Sequence, residues 1–417
     1  MKSSAEIRIL IAVCVFVLSS LRTPAQPIPV LYPIEERGKF GYIDAQGKVA
    51  IKPQFDDAKS FSEGLARVKI GRKWGFINQT GNLLILPQFQ LASDQEANNR
   101  GLDFHEGMAA VSFDGGKWGY IDRSGQIVIQ PKYDHADRFS EGIARVSTDY
   151  SERIGNETIM YIGGRAKYID KQGKVISLPV AGDTFSEGLA VADIPAKRPQ
   201  AEDNSRDAPK VGYIDKTGRF RIQPRAWVPY QFSEGLARVR AGDRDEWGYI
   251  NHAGKVVIKM IYEGAGDFHE GLARVALGTM AFDDKTGRMG FVNKSGALVI
   301  RPQFWIAGNF SGGLASACVE DKGSPFPFKC GYIDKRGKWA IEPAFMFILG
   351  DFKGELASAC TSEKCGYINR SGKFVWAVPI KPDGNWPDVV ASPLAGCSIM
   401  GDKADRNYPC TIDFKLF

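Results

Sequence analysis

Histidine and cysteine are scarce in this sequence. Its 417 residues include four His, at 105, 135, 252 and 269, and seven Cys. The histidines lie far apart, and neither Cys-x-x-Cys nor His-Glu-x-x-His spacing occurs, so the patterns that hold a zinc ion are missing. Missing as well are the Gly-x-Ser-x-Gly elbow, the P-loop and the dinucleotide fingerprint. No block of like charge stands out: 54 Lys and Arg against 48 Asp and Glu leave a net +6. That spread describes a mixed, solvated surface and is a poor footprint for nucleic acid. Long apolar runs are lacking too. Ile9–Leu18, the longest near the start, is about half of the roughly 20 residues a membrane-spanning helix needs.

Glycine and aromatic residues are plentiful: 46 Gly, 25 Phe, 14 Tyr and 8 Trp, in a chain 44% hydrophobic and 24% charged. This composition buries a core, excludes disorder, and favours strands joined by tight turns over a helical bundle. At the N-terminus Lys2 and Arg8 precede the short apolar run, and Thr23-Pro24-Ala25 follows as a small-residue cleavage site. Residues 1–25 therefore read as a signal peptide, and the mature chain is expected to be exported: periplasmic, secreted or at the cell surface.

The rest of the chain is self-similar. Lys39-Phe40-Gly41-Tyr42-Ile43-Asp44 recurs around Trp74-Gly75, Trp118-Gly119, Gly212, Trp247-Gly248, Gly290, Gly331 and Gly366, with a weaker copy at Lys167-Tyr168-Ile169-Asp170 that lacks the Gly. All nine copies continue through Asp/Asn-x-x-Gly, a side-chain-capped turn with Gly at its left-handed position. A Val/Ile-rich strand follows, and Pro53, Pro87, Pro131 and Pro302 are expected to stop it. A second signature, Phe61-Ser62-Glu63-Gly64-Leu65-Ala66, recurs at Phe104, Phe139, Phe185, Phe232 and Phe268, and loosely at Phe310 and Phe352. In the stretch after it, Leu65 and Arg67 share one face and Ala66 and Val68 the other. Each unit thus reads as a three-to-four-stranded antiparallel meander: a Leu-Ala strand, a Trp-Gly strand, a Val-Ile strand, and a short fourth near Phe55 and Asp56.

These residues resemble the WG-repeat family of bacterial exported proteins, over nearly all of the chain from Glu36 onward. The resemblance implies a repeat-built binding or interaction module; it does not imply a catalytic site. The fold expected is all-β, with about nine units over residues 26–380 stacked into a propeller-like ring in preference to an open β superhelix. The array is expected to begin in mid-unit on a Trp-Gly strand, and residues 381–417 to supply a disulfide-bonded hairpin that closes it.

Six cysteines remain after signal removal. Repeat register pairs Cys318 with Cys330, Cys360 with Cys365 and Cys397 with Cys410, each across a hairpin, with Cys330 and Cys365 in the Trp position. Length varies mainly in the loops between the Leu-Ala and Trp-Gly strands. The long ones, residues 147–166, 193–210, 276–288 and 319–329, should project from one edge and form a site for a protein or glycan ligand. No catalytic, cofactor or metal residue is assigned. Glu63, Glu106, Glu141, Glu187, Glu234 and Glu270 repeat at one position, which marks turn formers. The function expected is a non-enzymatic scaffold binding a protein or a cell-envelope glycan. The alternative is a polysaccharide-acting hydrolase, which would need non-repeated acids such as Asp183, Asp243 and Asp283 to converge.

Overall fold

The computed structural model describes residues 29–90, 102–148, 151–155, 158–162, 165–180, 182–193, 210–241, 246–278, 288–321, 328–348 and 350–380. Nine small antiparallel sheets follow one another and close into a nine-bladed β-propeller, with no helix among the described residues. Blade 1 holds β1 (Tyr32–Glu36), β2 (Lys39–Ile43) and β3 (Val49–Phe55). Blade 2 holds β4 (Asp57–Ala58), β5 (Leu65–Ile70), β6 (Lys73–Asn78) and β7 (Leu83–Phe89), paired in chain order. Six blades repeat this four-stranded order; blades 1, 3 and 5 show three strands among the described residues.

The nine Asp/Asn-x-x-Gly turns are built alike. In blade 1, Asp44 Oδ1 accepts from the Gln46 and Lys48 amides, both at 2.9 Å, and Gly47 takes φ +81°. Asn78 does the same for Thr80 and Asn82, and Asn369 for Ser371 and Lys373. Carbonyl and carboxylate oxygens serve equally as acceptors, which is why Asp and Asn interchange here.

Proline does not stop the Val-Ile strands. β3 and β7 pass through Pro53 and Pro87 on a register shift and re-pair at Phe55 and Phe89. The shifted strand crosses close over the Gly of the preceding strand. A Cβ on Gly75 would sit 2.5 Å from the Ile85 carbonyl oxygen and 2.8 Å from the Pro87 nitrogen. Gly119, Gly212, Gly248, Gly290 and Gly331 meet the same backbone at 2.3–2.6 Å. The Gly and the following Ile-x-Pro, with Met260 in the Pro place opposite Gly248, are therefore one device. Blade 4, with Lys167 instead of Gly, has only Val175–Ile176 as its last strand.

Blade 1 does not begin in mid-unit. Tyr32–Glu36, which carries no repeat motif, pairs along the whole of β2 and supplies the Leu-Ala strand. Blade 9 then meets blade 1 as any blade meets the next. The Gly47 turn packs on Val375 as the Gly81 turn packs on Ile51. Tyr367 Oη donates to the Pro33 carbonyl at 2.9 Å, and Tyr32, Ile34, Ile43, Leu356 and Tyr367 share one core. The ring closes on contacts within residues 29–380. The closing hairpin expected at 381–417, with Cys397 and Cys410, lies outside the described residues.

Seams between blades repeat a small set of bonds. The buried Tyr of the Trp-Gly strand donates to a carbonyl in the next blade: Tyr42 to Lys59 at 2.8 Å, Tyr120 to Asp137 at 2.6 Å, Tyr249 to Gly266 at 2.7 Å. Ser62 Oγ donates to the Phe104 carbonyl at 2.7 Å, and Ser140, Ser186, Ser233 and Ser311 repeat this. Each repeated Glu reaches the next blade as well. Glu63 accepts from the Glu106 amide at 2.6 Å and the Gly107 amide at 2.9 Å. Glu106 takes Gly142, Glu141 takes Gly188, Glu187 takes Gly235, Glu234 takes Gly271 and Glu270 takes Gly313. All six Glu hold φ between +50° and +54°. That conformation costs about 1 kcal/mol for a residue with a Cβ, and charge-assisted bonds to two amides offset it.

Candidate binding face

Antiparallel order gives the ring two unlike faces. The turns between first and second strands and between third and fourth lie on one face. The loops between second and third strands lie on the other, which we call the loop face. All four long loops belong there. The 147–166 loop carries its own hairpin, Ser151–Gly155 paired with Thr158–Ile162. The middles of the other three lie outside the described residues, but their bases are fixed by Asp193 and Val211, Leu277 and Arg288, and Glu320 and Phe328, each pair at opposing strand ends.

Beneath the loops, cations stack on aromatic rings. The Arg238 guanidinium lies 3.9 Å from the Tyr230 ring centre, Arg225 5.0 Å from Trp227, and Arg288 4.8 Å from Trp305. Trp227 Nε1 donates to the Val211 carbonyl at 2.6 Å, tying the base of the 193–210 loop to the next blade. The repeat tryptophans are core groups: Trp74, Trp118 and Trp247 are only 2%, 6% and 7% exposed. Rings so buried cannot stack on a sugar.

Carboxylates on the first-strand connectors are paired. Arg67 reaches Asp103 of the next blade at 3.4 Å, Arg145 reaches Asp183 at 3.7 Å, and Arg238 reaches Asp267 at 2.8 Å. Asp183, one of the acids a hydrolase would require, is therefore part of a seam; Asp243 and Asp283 lie outside the described residues. Burial pushes the Asp351 carboxyl above its ordinary value, against the nearby Arg274, His269 and Lys353. Sequence reasoning placed these arginines on the right strand face but missed their partners. The available signal was the acid just before the Phe of the second signature, as in Asp103-Phe104 and Asp267-Phe268. The cavity between blades 2 and 3, lined by Arg67, Trp74 and Leu102 among others, is about 10 Å³, room for one water and no substrate. Among the described residues no group of three His, Cys, Asp or Glu could hold a metal ion, and no helix is long and apolar enough to cross a membrane.

Two expected disulfides are present: Cys318–Cys330 at 2.02 Å and Cys360–Cys365 at 2.09 Å. All four cysteines are buried in one cluster with Phe328, against Ile306, Met346, Ile348 and Ile380. Cys330 opposes Phe345 as Trp74 opposes Phe89, so a disulfide fills the volume a Trp fills elsewhere.

A family described as "WG containing repeat" matches residues 40–74, 74–95, 118–150, 212–244, 247–278, 289–322 and 331–365, together more than half of the chain. No curated protein matches it. Among solved structures, one titled "Crystal structure of the eukaryotic initiation factor" is similar with a TM-score of 0.55 at 11% identity, over 84% of this chain and 96% of that one. BamB from Moraxella catarrhalis gives a TM-score of 0.35 at 11% identity, over 82% and 93%. At such identities the likeness concerns the fold alone.

Proposed function

The chain belongs to the WG-containing repeat family, and from that footing we propose that it is an exported, non-catalytic scaffold that binds a protein partner through its loop face. One observation carries this reading: the fold holds turns and seams constant around the ring while releasing nearly all length variation into loops on a single face. Burial of the repeat tryptophans favours a protein over a cell-envelope glycan. The Arg–Asp pairing of the connectors speaks against a polysaccharide hydrolase. Export is supported by the N-terminal signal-like segment and by the two disulfides, which suit an oxidising compartment.

The test is capture of partners by the mature chain, with a glycan array in parallel, repeated after replacing residues 194–209 by a short Gly-Ser link. Loss of a captured protein on shortening the loop is the expected result. Capture unchanged by every loop replacement, or binding to a glycan alone, would overturn it.

A further inference from the structure

The Glu-Gly turns form backbone concavities that bind carboxylates. At Glu106-Gly107, φ values of +52° and +81° aim two successive amides at one point, where the Glu63 carboxylate sits. Blades 2 to 8 carry such a turn, and in six of the seven the donors meet a group from the preceding blade. Blades 3 to 8 receive a Glu carboxylate. Blade 9 bends differently, with a left-handed Gly354 alone, and there the Tyr32 hydroxyl of blade 1 accepts from the next two amides, Glu355 and Leu356, at 3.1 and 3.2 Å.

Blade 2 differs. Its turn, Glu63-Gly64, has the same shape, with φ +50° and +81°. The residue of blade 1 in register with the repeated Glu is Pro29. Two facts fix this: Tyr32 pairs with Ile43 as Ala66 pairs with Ile77, and Gln79 Nε2 donates to the Pro29 carbonyl at 3.0 Å as Lys335 donates to the Glu270 carbonyl. Proline offers no carboxylate, and among the described residues no acceptor meets the Glu63 or Gly64 amide. Glu63 is exposed on the turn face, away from the long loops.

We propose that the Glu63-Gly64 turn is a receptor for a carboxylate presented from outside the ring, the acidic side chain of a bound peptide. The ligand class is set by what six identical turns of the same chain already hold. The blade 2 site is also weaker by design than its siblings. Where Gln79 stands, blades 4 to 8 have Lys171, Lys216, His252, Lys294 and Lys335, each within 3.1–3.3 Å of the incoming Glu carboxylate. A neutral amide there suits an exchangeable ligand. This site does not depend on the loop-face reading, since it lies on the opposite face.

The experiment is an amide NMR titration of the full mature chain labelled with 15N-glycine and 15N-glutamate. Sodium acetate and N-acetyl-glutamate amide are compared with sodium chloride at equal ionic strength. Gly64→Asn, which tolerates the left-handed backbone, identifies the Gly64 signal. Saturable downfield shifts at Glu63 and Gly64, with Gly107 and Gly142 unmoved, are expected with both carboxylates and not with chloride. A response to acetate alone would exclude the peptide side chain; no response to either would overturn the site. Gln79→Lys should tighten binding about two- to fivefold. Pro29→Glu with Val30→Gly, which recreates the repeated pair, should abolish the response. A double variant that folds and still titrates like the parent would also overturn the proposal.

Discussion

Seams from blade 2 to blade 8 and the seams that close the ring through blades 9 and 1 perform one task with different chemistry. In the first group every junction is bridged by a left-handed Glu that grips the next turn, helped by a Lys, Arg or His side chain from the following blade. At blades 8 and 9 Gly312 and Gly354 replace that Glu. Arg370 occupies the freed space, with Nη1 donating to Gly312 at 2.8 Å and Nη2 to Gly354 at 2.9 Å. A side chain at Gly312 would collide with it, the added Cβ falling 2.4 Å from Nη2. The Tyr32 hydroxyl completes the closure, donating to the Lys353 carbonyl at 2.5 Å while accepting two amides. What the two groups share is therefore the bond and not the residues that make it: each junction has turn amides that an acceptor from a neighbouring blade satisfies, a Glu carboxylate on a doubly left-handed turn or a Tyr hydroxyl on a turn with Gly354 alone left-handed.

That contrast can be broken in four places. The largest effect is expected from a feature both groups share. Gly119→Ala places a Cβ 2.4 Å from the Ile129 carbonyl oxygen, a backbone clash no rotamer relieves. It should cost about 3 kcal/mol or more, read as a fall in the urea midpoint, whereas Lys167→Ala in the blade without the bulge should cost under about 1 kcal/mol. Next comes serine replacement of both Cys318 and Cys330. This should lose about 2–3 kcal/mol through the released loop, with hydrogen exchange rising in blades 8 and 9 while blades 2 to 7 keep their protection.

Tyr32→Phe tests the closing seam alone. It removes three hydrogen bonds where Tyr120→Phe removes one, so a loss of about 1–3 kcal/mol is expected against about 1 kcal/mol. Faster amide exchange at 353–356 and in β1 should accompany it. The smallest effect separates the groups by pH. Burial pushes the Glu106 carboxyl up, but the Gly142 amide, Lys171 and the Glu141 amide together pull it below its ordinary 4.5; Glu234 and Glu270 are held low in the same way. A lowered folded value means stability fully present above pH 4.5 and lost as pH falls through the folded value. These groups are well solvated, so each should contribute only a few tenths of a kcal/mol. Glu106→Gln should lower the urea midpoint at pH 7 and match the parent at pH 3, with blades 8, 9 and 1 indifferent in exchange measurements.

Much of this was legible in the sequence. The Asp/Asn-x-x-Gly turns and the strand alternation are local, so residue spacing reveals them directly. The first two disulfides followed from repeat register, because each joins directly opposed residues of one hairpin. The Pro positions were visible but misread, since the strand they appear to end is rejoined by a bulge whose other half is a Gly in the neighbouring strand. Tyr32–Glu36 carries no motif and was invisible as a strand; it is one because β2 offers it an edge and blade 9 offers its hydroxyl a turn. The Arg–Asp seams were hidden because the partners lie about 30 to 40 residues apart in different blades.

The sequence by itself thus determined the unit: its three or four strands, its turns, and the side of the unit on which length varies. Spacing of a few residues decides these, through backbone conformations that only Gly, Asp and Asn adopt cheaply. The tertiary structure alone decided that nine units make a closed ring and that an unmarked segment completes the first blade. It also decided that the repeated Glu joins blades, and that at one of the seven such turns the register position of that Glu is held by Pro29. Those outcomes depend on the small rotation between neighbouring blades summed over the whole array, and no single repeat encodes that sum.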